Sequence, residues 1–210
     1  MMIARSAGVV SFDRKSFAEV CAELMRRVNR EGPPDVLIGI RTGGLVVAEA
    51  MATAVAGAVP ILALTCRRPS SRHKPKSSTI RRLVAKLPRP LLDQLRLAEH
   101  ALLTGRSTAV PRGEYQFAES ELGSLDAWIA TAGKQPSLLI VDDAVDSGAT
   151  LSVVLDAIRR RAPLGATIRS AAITVTTERP LAMPDYALYH RQLCRFPWSL
   201  DALIENPCSS

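Results

Sequence analysis

Residues 138–150, LLIVDDAVDSGAT, constrain this chain more than any other segment. Leu138, Leu139, Ile140 and Val141 are apolar residues of the kind that fill a strand buried on both faces. They run straight into Asp142 and Asp143, then Asp146, then small and hydroxylated residues. An amphipathic helix pattern follows at Leu151, Val154, Leu155 and Ile158. A strand that stops at a turn and opens a helix presents unpaired amide N–H groups at the positive end of the helix dipole, which is a phosphate site. Ser147, Gly148, Ala149 and Thr150 are small enough for a phosphate to reach the backbone, and Ser147 and Thr150 add hydroxyl donors. Carboxylates repel a phosphate, so Asp142 and Asp143 must serve something neutral or cationic beside it: sugar hydroxyls, a metal ion or a ring proton.

A second strand-to-helix turn lies upstream. Val36–Ile40 reads as a strand, Arg41-Thr42-Gly43-Gly44 as a loop, residues 45–55 as a helix and residues 61–65 as the next strand. Such a βαβ unit requires a parallel sheet with a right-handed crossover. In open α/β sheets ligands bind beyond the carboxyl ends of the strands, where both loops fall. Glycines at 43 and 44 let amides approach an anion, and Arg41 can add charge-assisted bonds. A ligand with phosphate at both ends, a diol and a metal-bound pyrophosphate meets all these demands, and phosphoribosyl pyrophosphate (PRPP) is one.

At these residues the chain resembles the type I phosphoribosyltransferases, whose signature is four hydrophobic residues, two acids and a turn ending in Ser/Thr-Gly-x-Thr. Ala144 departs mildly from it, since a larger aliphatic residue is usual there. The resemblance implies an α/β fold with a parallel open sheet flanked by helices. It also implies a glycosyltransferase (a pentosyltransferase) of nucleotide salvage that moves 5-phosphoribosyl from PRPP to a purine-like base and releases pyrophosphate. Mg²⁺ is the implied cofactor, placed by Asp142 and Asp143, which also hold the ribose hydroxyls. Ser147–Thr150 would bind the 5-phosphate. Arg41, with the amides of Thr42, Gly43 and Gly44, would bind pyrophosphate, with a cis peptide expected at Arg41–Thr42. In purine-using relatives the acid at Asp146 exchanges a proton with the ring nitrogen; the alternative is an N-cap. Asp146 and Arg41 are therefore the residues expected to be catalytic. Arg195-Phe196-Pro197-Trp198 resembles the aromatic tail that covers the base, which makes Phe196 and Trp198 base-binding residues, or else Trp198 a core aromatic. The implied assembly is a homo-oligomer, a dimer.

At 210 residues one domain, 1–210, is the expectation, with residues 177–210 as the C-terminal tail. Relatives carry a short mobile loop after the second strand, but here residues 66–113 form a long insertion. It reads as a basic loop followed by two short helices, 80–87 and 91–103, split by Pro88 and Pro90. Between Thr65 and Arg106 stand eleven Lys/Arg against two acids, while the whole chain carries only +7, so all the excess positive charge is in this segment. It would steer polyanions toward the cleft, with Arg67, Arg68, Arg72 and Lys74 as the cations that could close over it. The same charge allows a second reading from another class: a PRPP-sensing regulator of this fold that binds nucleic acid through the insertion. A specialised acceptor in place of a purine also stays open.

Cys21, Cys66, Cys194 and Cys208 have no paired short spacing, and His73, His100 and His190 are scattered, so neither a zinc site nor a disulfide framework is indicated. The longest uncharged stretch is broken by Gly57 and Pro60, and the first ten residues lack the apolar core of a signal peptide. No membrane partner and a reduced cytoplasmic location are therefore expected. Further helices are expected over residues 17–28, with Ser16 as cap, 119–130 and 151–161, and a closing strand over 168–176.

Overall fold

The computed structural model describes residues 5–6, 9–54, 57–67 and 115–199. The helices expected at 80–87 and 91–103, the rest of the insertion beyond Arg67, His73, His100, Cys208 and the end of the tail from residue 200 lie outside the described residues.

Five parallel strands make the central sheet: β3 (Val36–Ile40), β4 (Ile61–Leu64), β7 (Ser137–Val145), β8 (Thr167–Val175) and β9 (Tyr186–His190), in the order β4-β3-β7-β8-β9. β3 is buried at all five positions, as a central strand covered on both faces must be. One face carries α1 (Arg14–Asn29) and α2 (Gly43–Ala52), packed on Leu37, Leu139, Val141, Ala171 and Ile173. The other carries α3 (Glu119–Thr131) and α4 (Ala149–Arg159). There Leu125, Leu151, Val154 and Ile158 meet Ile38, Leu138 and Ile140. Leu138 and Leu139 go to opposite faces because strand side chains alternate. Helices on both faces of a parallel sheet are the α/β architecture expected from the two strand-turn-helix units.

Two small sheets flank this body. In one, β1 (Arg5–Ser6) pairs antiparallel with β2 (Val9–Ser11), which pairs parallel with β10 (Leu193–Arg195). In the other, β5 (Cys66–Arg67) pairs antiparallel with β6 (Gln116–Phe117), so the chain leaves and re-enters the insertion through a two-stranded stem.

Several boundaries differ from the sequence expectation. α1 begins earlier and is capped by Asp13, not Ser16: Asp13 Oδ1 accepts from Ser16 N at 2.7 Å, and Ser16 Oγ accepts from Asp13 N at 2.9 Å. This reciprocal capping box makes Ser16 its third helical residue. α2 and α4 each start two residues before the first periodic apolar position and end earlier, since small residues open a helix without adding to its apolar stripe. The largest correction concerns β7. It does not stop at Val141 but continues through the carboxylates to Val145, because β8 runs beside it with Asp142 opposite Ala172 and Val145 opposite Val175. Periodicity cannot show a partner strand that long. β9 and β10, inside the tail, were also not foreseen.

Candidate active site

β3 and β7 are neighbours in the sheet, so the loops leaving their carboxyl ends open side by side. The first is 41–44. Its Arg41–Thr42 peptide is cis, at the bond the sequence singled out. Thr42 caps α2 by its backbone alone, with no side-chain hydrogen bond to the first turn. Gly43 and Gly44 are both buried against β7. A Cβ on Gly43 would fall on the Asp143 carboxylate, and one on Gly44 would overlap the Val141 carbonyl and lie 2.8 Å from Asp142 Cα. The glycines are thus required by close approach: the loop is seated directly on the carboxylates.

The second loop is 146–150. Gly148 holds the left-handed conformation (φ 74°), and it caps α4 without a side-chain hydrogen bond. Only Gly takes this φ at no steric cost, and a side chain there would also meet the backbone of Leu181 and Ala182. The segment after β8 lies over this turn, with Leu181 N donating to Ser147 O at 2.8 Å. Two helix N-termini therefore open on one edge; in the second, Ser147 Oγ accepts from Ala149 N at a long 3.4 Å.

The carboxylates lie between the loops. Asp143 abuts Gly43, whereas Asp142 lines a narrow cleft with Asp146, Gly148 and Thr150. Burial, reinforced by the charge of Asp143, pushes the Asp142 carboxyl well above its ordinary range, and burial also raises Asp143. Paired acids with raised affinity for protons are short of positive charge and of hydroxyl donors. Asp146 does not cap α4, so the N-cap alternative is corrected. Its Oδ1 instead accepts from Thr176 Oγ1 at 2.6 Å, which fixes the carboxylate at the mouth of the cleft.

The tail enters the fold through β10, which pairs with β2. The Cys194 thiol on β10 is pushed up to about 12, first by burial, with a smaller upward contribution from the Asp143 charge. Phe196 and Trp198 stack with ring centroids 4.9 Å apart and planes at 3°, and Phe17 meets Trp198 edge-on at 5.0 Å. Phe196 is 5% exposed and stacks on Phe12 as well, which places it in the core behind Trp198. Trp198 is half-buried and closes the row.

Arg41 has one partner among the described residues, Glu121 of α3, with Nε donating to Oε1 at 3.0 Å. Glu121 also accepts from the Thr65 amide and from Thr65 Oγ1. Nothing in the sequence pointed to Glu121, which stands 80 residues from Arg41. A groove of about 450 Å³ between α1 and β9 touches none of the expected site residues. Cys21 and Cys194 are free thiols, and no group of three His, Cys, Asp or Glu able to hold a metal occurs among the described residues.

The model of the phosphoribosyl transferase domain family matches residues 12–191. The chain belongs to that family. Membership carries the activity class, a glycosyltransferase-type enzyme that uses PRPP. Among solved structures it is similar to a purine phosphoribosyltransferase from Pyrococcus horikoshii Ot3, at 19% identity and TM-score 0.56, covering 91% of this chain and 94% of that one. The Helicobacter pylori xanthine-guanine-hypoxanthine phosphoribosyltransferase is 16% identical with TM-score 0.56, over 92% and 95% of the two chains. A Neisseria gonorrhoeae hypothetical protein with bound ppGpp is 13% identical with TM-score 0.56, over 95% and 94%. At these identities the structures share the fold. No curated protein sequence matches the chain significantly. Among the described residues no helix is long and apolar enough to cross a membrane.

Proposed function

We propose that this phosphoribosyltransferase transfers 5-phosphoribosyl from PRPP to a purine-like base, with pyrophosphate as leaving group. The observation that carries the reading is the seating of the 41–44 loop on Asp142 and Asp143, beside the helix N-terminus at Gly148. That arrangement offers two anion sites on adjacent strands, separated by a carboxylate pair suited to a diol.

The donor set fits Mg²⁺. Mg²⁺ prefers hard oxygen ligands and usually takes one or two carboxylates together with substrate phosphates, rather than an all-protein cage. Asp142 and Asp143, half-buried and short of positive charge, would hold it directly or through water; when bound, it supplies charge neutralisation for the leaving group.

The chain's own residues do the rest. Amides and hydroxyls of Ser147–Thr150 anchor the 5-phosphate, and this remote contact positions the sugar for attack at the anomeric carbon. The bond from that carbon to pyrophosphate breaks as the bond to the base nitrogen forms, through a centre with oxocarbenium character. Arg41 and the amides of Thr42, Gly43 and Gly44 receive the negative charge that develops on the departing group. Asp146, held by Thr176, takes the proton the base releases. Trp198 offers an indole face for the base, backed by Phe196. Assembly as a homodimer and a cytoplasmic location belong to the same reading.

The test is calorimetry with PRPP and Mg²⁺, followed by pyrophosphate release with hypoxanthine, guanine, xanthine and adenine. Saturable binding and turnover of at least one purine are expected. No saturation at millimolar PRPP overturns the reading. Saturable binding without release from any base moves the protein to the PRPP-sensing alternative.

A further inference from the structure

Glu121 occupies a junction that the proposed reaction does not yet use. It stands in the first turn of α3, where a negative charge is favoured by the helix dipole. Its side chain is 17% exposed and gathers three donors: the Thr65 amide, the Thr65 hydroxyl at 3.1 Å and Arg41 Nε at 3.0 Å. These come from the ends of two neighbouring strands, β3 and β4, and from the base of the insertion stem, since Thr65 directly precedes β5 and α3 closely follows β6. The Arg41 amide also donates to Leu64 O at 3.0 Å, so the loop is tied to β4 by backbone as well as by side chain.

How Arg41 is held matters. A guanidinium is a rigid planar fork with five N–H donors. Glu121 engages it through Nε, and among the described residues no other group bonds to it. The edge formed by the two terminal nitrogens is thus left for a second anion, which is the edge a phosphate accepts in bidentate fashion. Glu121 is itself fixed by a backbone amide and a hydroxyl, so it is an anchor rather than a floating counter-ion. Without it, Arg41, whose side chain is 49% exposed, would sample many rotamers and lose entropy on each binding event.

We infer that Glu121 is a positioning residue: it pre-organises Arg41 for the pyrophosphate group and couples the insertion stem to that end of the site. The inference rests on the proposed function, because it takes the loop at Arg41 to be the pyrophosphate loop.

The experiment measures binding of PRPP, inorganic pyrophosphate and ribose 5-phosphate, each with Mg²⁺, to the full chain by calorimetry. Glu121→Gln retains an acceptor for the Thr65 amide but removes the charge facing Arg41. It should weaken PRPP and pyrophosphate about tenfold and leave ribose 5-phosphate within twofold. Arg41→Ala should weaken the same two ligands, and adding Glu121→Gln to it should cost nothing more, since the carboxylate acts through the arginine. Thr65→Val, which removes one restraint on Glu121, gives a smaller loss in the same direction and keeps the idea testable if Glu121→Gln does not fold. Equal loss of all three ligands, or unchanged or tighter pyrophosphate binding, overturns the positioning role while leaving the proposed function standing. Failure of the unsubstituted chain to bind PRPP or pyrophosphate removes both.

Discussion

Gly43 and Gly44 are adjacent, chemically identical and both buried, yet replacing each with alanine should have opposite consequences. A Cβ on Gly44 would overlap the Val141 carbonyl and sit 2.8 Å from Asp142 Cα, where ordinary contact begins at 3.4 Å. Both obstacles are backbone atoms of β7, so α2 must withdraw from the sheet. Overpacking of this kind costs about 1–3 kcal/mol, and backbone obstacles place it toward the upper end. Alanine offsets at most about 0.8–1 kcal/mol through helix propensity, and less in a first turn. A net loss of about 1–3 kcal/mol corresponds to a fall in Tm of roughly 2–12 °C for a chain of this size. On Gly43 the nearest atoms a Cβ would meet are the end of the Asp143 side chain, which can swing away. Gly43→Ala should therefore leave Tm within about 2 °C, a negligible change at that scale, while displacing the carboxylate that the ligand needs. Thermal unfolding followed by circular dichroism, with PRPP titration of both variants, separates the two effects. A Gly44→Ala variant as stable as the parent, or a Gly43→Ala variant that binds PRPP normally, would refute the close packing of this loop on β7.

Asp146→Asn keeps the bond to Thr176 but removes the base, so turnover should fall by about 10²–10⁴ with little change in the KM for PRPP; steady-state kinetics decide it, and unchanged turnover would deny Asp146 a proton-transfer role. Burial and the Asp143 charge raise the Asp142 carboxyl, so the native state holds its proton more tightly than the unfolded chain does. The associated stability is complete below the ordinary carboxylate range and is lost as pH rises through the raised value. In EDTA, Asp142→Asn should therefore gain in Tm over the parent progressively as pH increases; a difference that stays flat with pH would contradict the burial of that charge. Arg169, 9% exposed, donates to Val28 O, Gly32 O, Ser137 Oγ and the Tyr186 hydroxyl, while Tyr186 donates onward to Glu31. Arg169→Leu removes all four of these bonds and should cost about 3 kcal/mol or more at about 1.5–3 kcal/mol per charged hydrogen bond. Chemical denaturation measures it, and a loss below about 1 kcal/mol, less than one such bond, would contradict the network.

The parts of the protein legible in its sequence are those where one short segment contains both the cause and the consequence. An apolar run, a turn of small residues and an amphipathic period lie next to one another at 36–52 and 138–158, so strand, loop and helix follow from local chemistry and sterics. The two loops, the α/β class and the identities of Asp142, Asp143 and Gly148 were therefore available without coordinates. Boundaries were less so: β7 runs on through its acids only because β8 pairs with it, and Asp13 replaces Ser16 as cap because capping depends on geometry. What tertiary structure alone decided is which distant residues meet. Glu121 reaches Arg41 and Thr65 across intervals of 80 and 56 residues, and Thr176 holds Asp146 from the end of another strand. β10 joins β2 across the chain's two ends, and Phe196 is enclosed by Phe12 and Trp198. None of these contacts leaves a periodicity or a spacing. Each is a consequence of where the sheet places its edges, and that is fixed by the whole core rather than by any one segment.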